Sequence, residues 1–262
     1  MREHRILATT LPEGEIYVRT YESRLDLLRC LIIGPRDTPY ENAPFLIDLY
    51  LPEEFPDRPP TAHFHSWTSG LGRINPNLYE EGKICLSLLG TWSGKDESEK
   101  WSDKATILQL LVSLQGLVFV KKPFYNEAGF EGYENDSRYT LEAEQYSEKA
   151  FVMARGFIKH ALCRPPGGLK DVLAWLYLPH SPSDPADCLL GTVLQRGRQL
   201  IEKSEEARLQ KDTRLLDSSG DKDDPTRVFL RPLSRGASVM LKRLIDELQA
   251  QLTRISHGEG GS

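Results

Sequence analysis

The sequence predicts an α+β fold: a four-stranded antiparallel meander with flanking helices, followed by a C-terminal helical extension. Two observations carry this expectation. Short, branched apolar runs bounded by Gly and Pro recur at regular spacing before residue 70, and the connections between them are too short for the helical crossovers that parallel strands need. Longer segments with helical apolar spacing follow from Ala105 onward.

Taken in order, a first strand covers about Glu15 to Thr20, and Arg24 to Ile33 forms the second, stopped by Gly34-Pro35. A third, Phe45 to Leu51, ends at Pro52; a fourth, Thr61 to Trp67, follows Pro59-Pro60 and alternates Ala62, Phe64 and Ser66 against His63, His65 and Trp67. Asn75-Pro76-Asn77 and Glu81-Gly82 are turn formers, so Ile84 to Leu89 is expected in an irregular, partly buried loop. A helix over Ala105 to Lys121, N-capped by Ser102 or Asp103 and stopped by Lys121-Lys122-Pro123, has apolar residues round most of its circumference and should be central. Its apolar run, Ile107 to Val120, is too short to span a bilayer. A second helix runs from Arg138 to Leu162 and ends before Pro165-Pro166-Gly167-Gly168, taken as a boundary.

Beyond it, the stretch with Trp175 and Tyr177 is left unassigned, Leu189 to Leu209 reads as a helix, and the charged segment Asp217 to Thr226 as a disordered linker. Arg235 to Ile255 is a last amphipathic helix with Val239, Met240, Leu244, Leu248 and Leu252 as one apolar stripe. The expected layout is therefore a core at 1–164, a helical extension at 165–216, a linker at 217–227 and a C-terminal helix and tail at 228–262.

Composition excludes several classes. Of 262 residues, 39% are hydrophobic and 27% charged, which fits a soluble globular chain and not a membrane, collagen-like or wholly disordered one. The net charge of −5 argues against nucleic acid as partner, since phosphate binding needs a cationic surplus. Cys30, Cys85, Cys163 and Cys188 are too scattered for a zinc site or a disulfide framework. With no apolar segment behind Met1-Arg2-Glu3-His4-Arg5, no secretory signal is expected. The expectation is an intracellular protein, cytoplasmic or nuclear or both, with reduced thiols and no membrane partner.

The chemistry concentrates in Asn75-Pro76-Asn77-Leu78-Tyr79-Glu80-Glu81-Gly82-Lys83-Ile84-Cys85. Proline fixes one dihedral and holds the Asn77 amide at a defined place, and a single cysteine follows eight positions later. A carboxamide near a thiol suits acyl transfer, because it can donate to the oxyanion formed when a thioester is attacked; one such donor is worth about 3 kcal/mol. Cys30, Cys163 and Cys188 read as packing residues, and His63 and His65 as cross-strand polar residues.

This segment resembles the active site of ubiquitin-conjugating enzymes, in which His-Pro-Asn precedes the cysteine and a Trp follows before the next helix. Gly34-Pro35-Arg36-Asp37-Thr38-Pro39-Tyr40 and Leu51-Pro52-Glu53-Glu54-Phe55-Pro56-Asp57-Arg58-Pro59-Pro60 resemble the family's Gly-Pro turn and proline-rich loop. Asn75 in place of His, Leu89-Gly90-Thr91-Trp92, a charged insert, Trp101 and Pro123-Phe124-Tyr125-Asn126-Glu127-Ala128-Gly129-Phe130 narrow the resemblance to the large conjugating enzymes that also act as ligases, the Apollon-type giants included. The amino-terminal helix of the family looks short or absent here.

The resemblance implies the ubiquitin-conjugating (UBC) fold and a thioester relay. Cys85 would take ubiquitin from an activating enzyme and pass it to a lysine of a protein substrate, with built-in ligase activity in the hybrid class. Asn77 would assist transfer, Asn75, Pro76 and Trp101 would support the loop, and Asn126 and Glu127 would orient or deprotonate the lysine. No cofactor or metal is implied, ATP being used by the activating enzyme. A non-catalytic ubiquitin- or protein-binding module on the same fold is the alternative, and Cys85 argues against it. A cysteine hydrolase would need a histidine near the thiolate, and no motif ties one to Cys85.

Overall fold

The computed structural model describes residues 2–92, 100–180, 187–213 and 230–256. Helix α1 (Arg2–Thr10) leads into strands β1 (Ile16–Tyr21), β2 (Arg24–Ile33), β3 (Pro44–Tyr50) and β4 (Thr61–Phe64); helices α2 (Ile107–Val118), α3 (Thr140–Cys163), α4 (Lys170–Tyr177), α5 (Leu189–Thr213) and α6 (Arg235–Ser256) follow. The strands form one antiparallel sheet in the order β1-β2-β3-β4. This is the expected meander on the expected α+β architecture. An amino-terminal helix is present and not absent; of the two alternatives it is the short one, nine residues long, and it buries Leu7 and Glu3.

Period-two alternation gives the sheet two faces. Val18, Cys30 and Ile47 lie abreast, as do Ile16, Ile32 and Phe45, and this face is buried. Phe45 stacks on Phe119 beyond the end of α2, at 4.2 Å between ring centroids, and packs on Phe157 of α3. On the outer face, Tyr17, Leu31 and Leu46 lie abreast, next to Arg19, Arg29 and Asp48. There α4 and the turn before it cover the sheet. Arg19 donates to Gly168 O and pairs with Asp171, Arg29 donates to Gly167 O, and Tyr17 meets the edge of Trp175.

Asp48 sits between Arg29 and His65, with contacts of 2.8 Å to each. Burial raises its carboxyl, but the bonds from Arg29 and His65 overcome this and leave it well below the usual carboxylate range. Because the folded-state pKa is lowered, its contribution to stability is complete above the unfolded value, about 4, and is lost as pH falls. Asp48→Asn is expected to lower stability at neutral pH and to flatten its decline below about pH 4, read as denaturant midpoints across pH. An unchanged acid limb would show that other carboxylates control it.

Helix α2 begins two residues after the expected start. Its N-cap is Thr106, whose side chain accepts from Gln109 N, and not Ser102 or Asp103. The Ile107 N–H is capped from α1 by Glu3 at 2.8 Å, a partner far away in sequence. The helix buries Ile107, Leu110, Leu111, Leu114 and Val118 but exposes Val112 and Leu117, so only one side is central.

The stretch with Trp175 and Tyr177 is helix α4, and the expected helix at Leu189 runs on to Thr213. The stripe on α6 is rotated from the expected one. Ala237, Leu241, Ile245, Leu248 and Leu252 are buried, whereas Val239 and Met240 are exposed. The reason lies on α5: a Cβ at Gly197 would stand 2.4 Å from Ile245 Cδ1, so α5 approaches α6 most closely on that side. One apolar cluster includes Leu7, the sheet, Leu169, Leu173, Tyr177, Leu194 and Leu252, and so runs through the Pro165 to Gly168 turn without a break. The expected linker at 217–227 lies outside the described residues, as does most of the charged insert after Trp92.

Candidate active site

After β4 the chain crosses the end of α2 and folds into a short hairpin, 77–85, carrying Asn77 and Cys85. Three polar atoms hold the Asn75 side chain in place within the core, and one of them, Tyr40 Oη, is itself anchored. Its Nδ2 donates to Tyr40 Oη at 2.9 Å and to Val118 O at 2.7 Å, its Oδ1 accepts from Asn77 N at 2.8 Å, and Tyr40 Oη donates to Ile74 O at 3.0 Å. Asn75 is fully buried, so each of these bonds spares a desolvated polar group. The amide thus does the loop-holding work for which an imidazole stands in ordinary members of the class that the sequence resembles.

Pro76 sets the turn, and its carbonyl accepts from Arg73 at 3.1 Å. Asn77 and Cys85 then pair across the hairpin. Cys85 N donates to Asn77 O at 2.8 Å, and Asn77 Nδ2 donates to Cys85 O at 2.9 Å. The Asn77 Oδ1 is buried without a hydrogen-bond partner. An amide nitrogen carries two protons, so the one bond to Cys85 O leaves a second donor beside the cysteine. Gly82 closes the hairpin at φ +99°, and a Cβ there would lie 2.1 Å from the His63 ring, so both backbone and space require glycine. Thr91 fastens the far side: its hydroxyl accepts from Leu86 N and donates to Ile84 O.

Cys85 is 4% exposed. Its neighbour is Tyr79, whose hydroxyl is raised above its usual value first by hydrogen bonding with Cys85 and then by charge on that thiol. The Arg73 guanidinium stands 4.0 Å over the Tyr79 ring and 3.7 Å from Glu127. Sequence reasoning missed both Tyr79 and Arg73. Tyr79 lies two positions after Asn77, past a turn and an isolated bridge at Leu78. Arg73 carries no mark in the sequence.

The expected lysine-orienting pair separates. Asn126 donates to Leu117 O at 3.0 Å and Val118 O at 3.3 Å, where it ends α2 and shares the Val118 carbonyl with Asn75. Glu127 reaches the Arg73 and Tyr79 group on the cysteine side. Trp101 is not beside the cysteine loop. Its Nε1 donates to Pro56 O at 2.7 Å and its ring packs on Phe55, so it supports the proline-rich loop. The described histidines are engaged elsewhere: His4 on Leu25 O, His63 against Gly82, His65 on Asp48, His160 stacked on Trp67 and His180 near Trp175. Among the described residues, no group of His, Cys, Asp and Glu could hold a metal ion, and no helix is long and apolar enough to cross a membrane.

The meander with its flanking helices and the asparagine-held hairpin fit the UBC fold, and the comparisons agree on that fold. A family model described as ubiquitin-conjugating enzyme matches residues 1–150; the chain belongs to that family. It is 47% identical over 170 residues to "Probable ubiquitin-conjugating enzyme E2 25" of Arabidopsis thaliana, covering 64% of this chain and 27% of that protein. It is 39% identical over 211 residues to "Probable ubiquitin-conjugating enzyme E2 26" of the same plant, covering 78% of this chain and 38% of that one. It is also similar to the human "Dual E2 ubiquitin-conjugating enzyme/E3 ubiquitin-protein ligase BIRC6", 42% identical over 144 residues, 53% of this chain and 3% of that protein. The chain spans between 3% and 38% of the length of these relatives. The expected family is met.

Proposed function

We propose that Cys85 accepts ubiquitin as a thioester from an activating enzyme and that the amine of a substrate lysine then takes it. In the first step the Cys85 thiolate attacks the C-terminal glycine carbonyl of ubiquitin and the thiolate of the activating enzyme leaves. In the second, the lysine amine attacks the same carbonyl, an isopeptide bond forms, the C–S bond breaks, and the amine's proton goes to solvent or to a nearby base. The observation that carries this reading is the two-way pairing of Asn77 with Cys85, which fixes an amide donor beside the only cysteine in the hairpin. The thiolate is the nucleophile, and no resident cofactor enters the steps.

Built-in ligase activity is the finer reading. Similarity to a protein named as both conjugating enzyme and ligase supports it. So do Asp57 and Asp103, both exposed, where ordinary members of the family are expected to offer an apolar side chain and a proline to RING-type ligases. Desolvating a carboxylate against an apolar partner is unfavourable. The test is a charging reaction with activating enzyme, ATP and ubiquitin, resolved without reductant, followed by discharge to a protein acceptor with and without a panel of RING domains. A reducible band whose discharge is RING-independent is expected. Absence of the band overturns the relay, and strong RING acceleration overturns the ligase reading alone.

A further inference from the structure

The helices after residue 165 reach the active-site loop through the turn at residues 34–43. That turn is tightly built. Gly34 N donates to Ala43 O and Asn42 N to Gly34 O, Asp37 and Asn42 hold positive φ, and a Cβ at Gly34 would stand 2.0 Å from Tyr40 O. Its outward-facing carbonyls are received by helices. Arg155 of α3 donates to Pro39 O at 3.3 Å and Glu41 O at 2.6 Å, and Tyr177 of α4 donates to Asn42 O at 2.6 Å. The Glu41 carboxylate, also buried, pairs through Oε1 with Arg196 of α5, while its Oε2 is buried without a partner. Arg155 is buried and lies 3.8 Å over the Phe151 ring; burial, with Arg196 nearby, pulls its guanidinium down to about 10.

The residue between Pro39 and Glu41 faces the other way. Tyr40 is fully buried, and its hydroxyl joins Ile74 O and Asn75 Nδ2. Asn75 in turn holds Asn77 N, and Asn77 pairs with Cys85. A continuous path of bonds therefore runs from α5 to the cysteine: Arg196, Glu41, Tyr40, Asn75, Asn77, Cys85. A bare surface ion pair would matter little. Here the carboxylate is buried, and removing Arg196, the cation bonded to it, leaves it only the nearby guanidinium of Arg155, which is committed to the carbonyls of Pro39 and Glu41, so the turn has to move to solvate the charge.

We infer that Arg196 is a positioning residue, through which the C-terminal extension fixes Asn75 and Asn77, and that α5 is therefore a working part of the catalytic unit. This rests on the roles proposed above for Asn77 and Cys85. The same path sets a limit on the extension as a separate recognition arm, because α4 and α5 cannot lift from the core without releasing the turn.

The test uses the full chain with Arg196→Met, the double variant Glu41→Gln with Arg196→Met, which removes both charges of the pair, and the conservative Arg196→Lys. The first readout is the Asn75 side-chain amide pair in a nitrogen-15 spectrum, assigned by its loss in Asn75→Ala, together with its solvent exchange. The second is single-turnover discharge to free lysine across lysine concentrations. In Arg196→Met and the double variant, the Asn75 signals are expected to shift and exchange faster. The maximal discharge rate should fall about tenfold, inside the hundredfold that an ångström of misplacement can cost, at unchanged half-saturating lysine. Arg196→Lys should restore most of both. Failure of the parent chain to charge would defeat the proposed function but leave the amide readout to decide this inference. A folded double variant with unmoved Asn75 signals overturns it, as does discharge within twofold of the parent.

Discussion

Cys85→Ala is expected to form no reducible ubiquitin adduct, whereas Cys85→Ser is expected to form a slower oxyester that survives thiol. The expectation follows from what surrounds the four cysteines. Cys30 is fully buried in the sheet, and burial pushes its thiol far above the usual range, so it is neither reachable nor readily ionised. Cys188 is half-buried, with its sulfur accepting from Gly191 N at the start of α5. Cys163 is exposed at the end of α3, its thiol 3.5 Å from Gln251 Oε1, and is the competitor that accessibility alone would choose. At Cys163 the Gln251 carboxamide presents its oxygen to the thiol, whereas at Cys85 the Asn77 carboxamide presents its N–H donor to the residue's own carbonyl. Run in parallel, Cys163→Ala should charge like the parent; an adduct lost there and kept in Cys85→Ala would overturn the assignment.

That accessibility and chemistry point to different cysteines explains why the site was legible in sequence. The Asn77-to-Cys85 spacing is a local feature, a turn followed by a short return, and its one backbone bond and one side-chain bond join residues eight positions apart. Strand β2 was legible to the residue, because an apolar run meeting Gly34-Pro35 has nowhere to continue. Strand β4 was drawn too long. Its pairing ends at Phe64, where Phe64 N turns to Gly82 O, and the chain leaves so that Trp67 can stack on His160 of α3. No local signal announces that departure.

What escaped sequence reasoning depends on partners distant in the chain. The α2 cap from Glu3, the rotation of the α6 stripe toward Gly197 and the Arg73 contact to Glu127 join residues from 48 to 104 positions apart. Helical periodicity shows that a helix has an apolar side, but the side that is buried is set by whichever neighbour approaches most closely. Asn75 illustrates the converse. Its substitution for histidine raises a doubt about loop rigidity when only the sequence is known, and the doubt is resolved by Tyr40 and Val118, 35 and 43 residues away.

Asn77→Ala should separate loading from transfer. The substitution removes the side-chain donor to Cys85 O but keeps both backbone bonds at this residue, Cys85 N to Asn77 O and Asn77 N to Asn75 Oδ1. The hairpin should therefore hold its shape, with little change in thermal midpoint. Loading exchanges one thiolate for another, so the tetrahedral intermediate expels a good leaving group and needs little help at its oxygen. Attack by an amine develops more negative charge before the thiolate departs, and the second Nδ2 proton is the donor placed to meet it. Charging should thus proceed at close to the parent rate, and discharge to lysine should slow by about a hundredfold, the scale of one lost oxyanion donor. Asn77→Asp keeps the shape but, when ionised, supplies only acceptors, so it should charge and discharge no faster than the alanine variant. Equal slowing of both steps in Asn77→Ala would assign Asn77 to the loop alone, and unimpaired discharge would remove the amide from the transfer step.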